Sequence, residues 1–191
     1  MFDTVQISAG GWLSPDPEPH IDAAPGFVDH LNPRGYFTAT CYDKFGNKKW
    51  EMEFPNGITN EGLNTLLNVM FVADTQLTTW YIGLISATSY SALAAADTMA
   101  SHGGWTESVA YSNSTRPQWT AGTSTSKSTT NASTVDFAMN SDGTVLKGIF
   151  ITSGSAKSGT AGKLWSTGLF GSDATLNNGD TLKINYTVNV S

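Results

Sequence analysis

Most of this 191-residue chain is governed by period-two alternation of apolar and polar side chains, broken by turn residues. From Gly35 to Tyr42, Phe37, Ala39 and Cys41 fall on one face of an extended strand, and Tyr36, Thr38, Thr40 and Tyr42 on the other. A turn over Asp43 to Asn47 follows. Trp50, Met52 and Phe54 then alternate with Glu51 and Glu53, which completes a hairpin with one wet face. Further on, Val135, Phe137 and Met139 alternate up to the turn Asn140–Gly143, and Thr144 to Thr152 is a mostly apolar strand carrying Lys147. Ser153 to Gly162 reads as a flexible loop, Lys163 to Phe170 as a strand and Gly171 to Asp180 as a turn. In the last strand Leu182, Ile184, Tyr186, Val188 and Val190 alternate.

One stretch has the other period. Leu63, Leu66, Leu67, Met70 and Phe71 make an apolar stripe at helical spacing, which predicts a helix at residues 60–71. Thr59 or Asn60 can cap its start, and Glu61 suits the positive end of the helix dipole. Thr79 to Ile85, uncharged and rich in β-branched and aromatic residues, reads as a strand covered on both faces. Residues 89–96 hold at most a weak helical turn, and Asp97 to Glu107 an irregular loop. Short strands are predicted near Val109–Tyr111 and Thr115–Gly122, with Pro117 at an edge or start. Gly122 to Ser133 is low in complexity, an exposed loop or a surface strand of Thr and Ser. A count of about eight or nine strands with no crossover helix predicts an all-β, mainly antiparallel sandwich, jelly-roll-like, with one inserted helix.

Residues 1–34 form a separate unit, an arm preceding a domain over 35–191. Pro15, Pro17, Pro19, Pro25 and Pro33 exclude helix and sheet and predict an extended, partly polyproline segment. Trp12, Leu13, Ile21, Phe27, Val28 and Leu31 are spaced along it. They either pack back on their own domain or fill pockets on another subunit, where a preformed segment loses little entropy on docking.

Charged residues make up only 14% of the chain, and the formal net charge is −6. Ten Lys and Arg residues are too few for a phosphate-binding surface, so direct nucleic-acid binding is not expected. The single cysteine, Cys41, excludes an internal disulfide and reads as a small buried hydrophobe. No secretory leader or membrane span is predicted, which points to synthesis in a reducing cytosol.

Sites for chemistry are thin. His20, His30 and His102 are not at metal-ligand spacing, so no metal or cofactor is predicted. The stretch Gly154 to Gly159 does not match a nucleophile elbow. The carboxylates are dispersed. Asp97 with Glu107 is the first pair to consider for a glycosidase, and Asp142, Asp173 and Asp180 sit in turn sequences. No catalytic residue is predicted. Trp80, Trp105, Trp119 and Trp165 could form a sugar-stacking platform. Trp80 and Trp165, in apolar strands, are expected in the core, whereas Trp105 and Trp119, in polar stretches, are candidate interface anchors.

The proline-rich arm, a body dense in Ser, Thr and Gly, the helix "NEGLNTLLNVMF" leading into "WYIGLI", and the later "DTMASHGGWTE…YS…TRPQWT" together resemble small virion proteins of tailed bacteriophages. The type is the capsid decoration (cement) or head-fibre protein. The resemblance covers most of residues 50–190 and carries over no functional residue. It implies a jelly-roll-like fold, attachment to the major capsid protein on the outer capsid, and self-association, with a trimer favoured over a dimer. The alternative is a tail, baseplate or fibre protein that binds host surface glycans.

Overall fold

The computed structural model describes residues 32–190. Its spine is an antiparallel ladder between strands β1 (Pro33–Tyr42) and β11 (Thr181–Val190), in register from Pro33 opposite Val190 to Tyr42 opposite Thr181. β2 (Lys48–Pro55) adds to the outer edge of β1 through the Asp43–Asn47 turn. There the Asp43 carboxylate accepts from the Phe45 and Asn47 amides and Gly46 takes φ +85°. On its other side β11 pairs with β7 (Ser128–Thr129) near its end and with β8 (Val135–Ala138) near its start. The second sheet runs β3 (Gly57–Ile58), β10 (Leu164–Leu176), β9 (Thr144–Thr152), β4 (Trp80–Ser86), β5 (Glu107–Ser108), with β6 (Gln118–Trp119) also on β4. Every strand pairing is antiparallel, and the architecture is an all-β sandwich with one helix, α1 (Asn60–Phe71).

The alternating residues close the core as their period requires. Phe37, Ala39, Cys41, Leu182 and Ile184 of the first sheet are fully buried with Ile82, Leu84, Leu146 and Ile149 of the second. Phe37 stacks near Phe54 and Tyr186, at centroid distances of 5.4 and 4.6 Å. Burial, with the Asp180 charge second, pushes the Cys41 thiol up to about 11.

Three expectations need correction. The 171–180 segment is not all turn: β10 runs on to Leu176 through an irregularity between Leu169 and Ala174, and only Asn177–Asp180 turns. The apolar signal breaks off there because Gly171, Ser172 and Asp173 are exposed, yet Phe170, Ala174 and Leu176 are buried at even spacing. The 153–162 loop is pinned, not loose, because buried Arg116 donates to the Gly154 and Gly159 carbonyls and Lys157 to the Tyr111 carbonyl. Finally, the apolar stripe of α1 is packed along only part of its length.

The start of α1 is seated on β10. Thr59 caps it by accepting from the Gly62 amide at 3.0 Å and donates to the Leu164 carbonyl. Glu61 accepts from the Leu164 amide at 2.8 Å. Gly62 makes the close approach feasible, since a Cβ there would lie 2.5 Å from the Trp165 carbonyl oxygen. The far end is bare: Leu67, Met70, Phe71 and Val72 are 45%, 65%, 76% and 70% exposed. β1 begins at Pro33, two residues inside the predicted arm. Trp12, Leu13, Ile21, Phe27, Val28 and Leu31, with His20 and His30, lie outside the described residues.

Candidate functional site: a tryptophan-lined groove

Four strands of the second sheet bring large side chains into one row. Trp80 opens β4 and is the direct cross-strand partner of Trp119 on β6. Ile151 of β9 pairs with Ile82 of β4 on one side and Ser166 of β10 on the other, next to Trp165. Trp165, Ile151, Trp80 and Trp119 therefore line the floor of a groove of about 590 Å³. Tyr186 and Val188 of β11 and Thr129 of β7 form the facing wall, and Leu66 and Val69 of α1 the flank. The Trp80 and Trp165 rings meet edge to face at 6.1 Å.

The rings are held from behind. Trp165 Nε1 donates to Tyr186 Oη at 2.9 Å, and Asn56 Nδ2 donates to the same oxygen at 2.8 Å. Burial foremost raises the Tyr186 phenol above its ordinary value, so it stays neutral at physiological pH. Trp119 Nε1 donates to Asn131 Oδ1 at 2.8 Å, and Asn131 is fixed in turn by the Ile184 carbonyl and the Tyr186 amide. Trp80 and Trp165 keep exposed surface, while Trp119 is 9% exposed. Thr65, Gln76, Thr78, Ser124 and Thr129 supply hydroxyl and amide groups, and no lining residue is charged. Such a set is suited to stacking and hydrogen bonding, and its one titratable group, the Tyr186 phenol, is held neutral by burial.

The expected division of the tryptophans does not hold. Trp80 and Trp165, expected in the core, are partly buried: they pack against it and also line the groove. Trp105, a candidate interface anchor, is 2% exposed inside a second cluster with Ile85, Met99, Phe150 and Leu164. It has no surface to offer a partner. Trp119, the other candidate, is largely buried and meets the groove with one edge. Of the four rings proposed as a sugar platform, the fold gathers three and leaves out Trp105.

Asp97 and Glu107 are both committed to structure. Asp97 Oδ2 accepts from Trp105 Nε1 at 3.0 Å and from the Ala94 amide at 2.9 Å. Glu107 forms a two-pronged pair with Arg116, at 2.9 and 2.8 Å, and also accepts from the Ser158 amide. The side chains of Arg116 and Glu107 are 1% and 5% exposed. His102 stacks on Trp105 at 3.9 Å. Among the described residues no group of three or more His, Cys, Asp or Glu could hold a metal ion, and no helix is long and apolar enough to cross a membrane.

Sequence reasoning missed Arg116, although it is one of only two arginines in the chain and stands between two short strands beside a proline. It also missed the role of Gln76 and Thr78, which follow the helix in a stretch with no periodic signal. No protein-family model, curated protein or solved structure matches the chain.

Proposed function

We propose that this chain is a non-enzymatic virion protein that fastens to the outer surface of a phage capsid and reinforces it, acting as a homo-oligomer, with a trimer favoured over a dimer. The observation that carries the reading is the bare end of α1. A sandwich whose core is already closed projects Leu67, Met70, Phe71 and Val72 together at one helix end, each close to half exposed or more. Clustered exposed apolar side chains of this size mark sites of association. Asp97 and Glu107, the first pair to consider for a glycosidase, are instead bonded into the scaffold. The resemblance to decoration proteins names the partner, the major capsid protein. Binding only the assembled lattice would stabilise that state by mass action.

The test is co-sedimentation with expanded capsids of the parent phage. Met70→Ser with Phe71→Ser should weaken capsid binding about tenfold or more, since burying one such side chain is worth about 1.5–3 kcal/mol. Binding at the unmodified level by this variant overturns the reading. A chain lacking residues 1–31 measures separately what the arm adds.

A further inference from the structure

We propose that the tryptophan-lined groove is a binding site for a neutral glycan chain. The inference is independent of the helix end and of capsid attachment.

The first ground is the pairing of surfaces. A pyranose ring has an apolar C–H face and an equatorial rim of hydroxyls. The groove offers the complement of both. Trp80 and Trp165 present ring surface at 60° to one another, 6.1 Å apart. Around them stand Gln76, Thr78 and Ser124, all exposed and each carrying a donor and an acceptor. A purely apolar occupant would strip water from these groups and leave them unpaired.

The second ground is charge. Elsewhere the described surface carries Lys, Asp and Glu in pairs, as in Lys147–Asp173 and Lys183–Asp136. None lines this groove. A phosphate chain or an acidic sugar would find no counter-charge, and a basic peptide no carboxylate. The chemistry left is uncharged and rich in hydroxyls.

The third ground is preorganisation. Trp165 and Trp119 are tied by their indole N–H groups to Tyr186 and Asn131, so the platform exists before the ligand arrives and little side-chain entropy is lost on binding. Trp80 Nε1 has no hydrogen-bond partner among the described residues, and it faces no burial without one. It is free to donate to a sugar hydroxyl.

The experiment uses the full chain with soluble oligosaccharides of glucose, mannose and N-acetylglucosamine as neutral probes, and oligogalacturonate as the anionic one. Saturation-transfer NMR reads contact, and tryptophan emission reads which platform responds. At least one neutral probe should bind, and Trp80→Ala should weaken it about tenfold. Gln76→Ala and Thr78→Ala, on exposed positions that the fold does not need, should each weaken it about threefold. Trp80→Ala could disturb packing, and the two rim variants keep the test decisive. Silence from every neutral probe overturns the proposal. So does tighter binding of oligogalacturonate, and so does neutral binding untouched by all three substitutions. A synthetic peptide of residues 1–31 that displaces the sugar-free emission signal while no sugar does would also overturn it, by assigning the groove to the arm segment.

Discussion

Two tryptophan clusters in one domain end up in opposite states. Around Trp105 the polar groups are turned inward to partners in the protein: its indole N–H goes to Asp97, and beside it the Arg116 guanidinium goes to Glu107 and two loop carbonyls while lying over the Phe150 ring. Around Trp80 and Trp165 the rings are fixed only from the rear, and the front carries hydroxyls and an amide with room before them. The difference lies in the supply of charge. Beside the Trp105 cluster, the buried Arg116–Glu107 ion pair ties down the 153–162 loop, with the guanidinium over Phe150. The groove has no charged side chain to draw a loop over it. A closed aromatic cluster helps hold the fold, and the open one built on the same strands is the proposed glycan site.

The sharpest way to break this contrast is to unseal the closed cluster. Arg116→Ala leaves Glu107 buried without its counter-charge, which costs about 3–5 kcal/mol. Urea denaturation followed by circular dichroism should show that loss, and limited proteolysis should cut within residues 153–162. Arg116→Met with Glu107→Met should recover most of the stability, because no buried charge is then left alone. A loss below about 1 kcal/mol for Arg116→Ala would place the pair among contacts of the surface kind and remove the proposed cause of closure.

The open cluster depends on how closely α1 approaches. Gly62→Val puts a branched side chain where even a Cβ would meet the Trp165 carbonyl. Overpacking of this sort costs about 1–3 kcal/mol. It should also displace the flank of the groove, shifting tryptophan emission to longer wavelength as Trp165 gains water. An unchanged midpoint and an unchanged spectrum would show that the helix is not seated by this contact.

These two cases also show what was legible in the chain. The strands with one apolar face, the hairpin turn and the helix with its Thr59 cap were readable because each is a local pattern of period or turn chemistry. The fates of the tryptophans were not. Trp105 sits in a polar loop, and partners distant in sequence, Ile85, Phe150 and Leu164, bury it. Trp80 sits in an apolar strand, yet it stands at that strand's first residue, where the two layers part beside the helix. Neighbours in sequence report the face of a strand and say nothing of what covers its end. Extension of β10 past Phe170 was hidden because Gly171, Ser172 and Asp173, exposed and of turn-forming type, interrupt the apolar alternation at the irregularity.

A smaller effect comes from the core itself, and it is read against pH. Burial, then the Asp180 charge, raises the Cys41 thiol from its ordinary 9.0 to about 11. The unfolded thiol ionises at the ordinary value, so the folded state's advantage is whole below about pH 9 and is lost progressively as pH rises towards 11. Lys49, raised chiefly by its hydrogen bond to Asp180, works in the same direction, because that bond is lost when the ammonium deprotonates. Stability of the unmodified protein should therefore fall through this window. Cys41→Ala, which removes the thiol and keeps Lys49, should fall less steeply. Parallel curves would mean that the thiol is not sheltered as its complete burial implies.

The smallest effect on stability is expected where the proposed role in assembly is largest. Leu67, Met70 and Phe71 lie on the same helix as Gly62, less than three turns away, yet they touch little of the core. Replacing Met70 and Phe71 by serine should move the unfolding free energy by no more than about 0.5 kcal/mol, as for other exposed positions. Binding of a fluorescent hydrophobic dye to the native protein should drop in the same variant, because the apolar patch has gone. A loss of several kcal/mol would mean that this end of α1 is packed in solution, against a second copy or the arm. The helix would then have a single role along its whole length. A neutral substitution with lost dye binding keeps its two ends distinct, the first seated by Gly62 and Thr59 on β10 and the second held out for a partner.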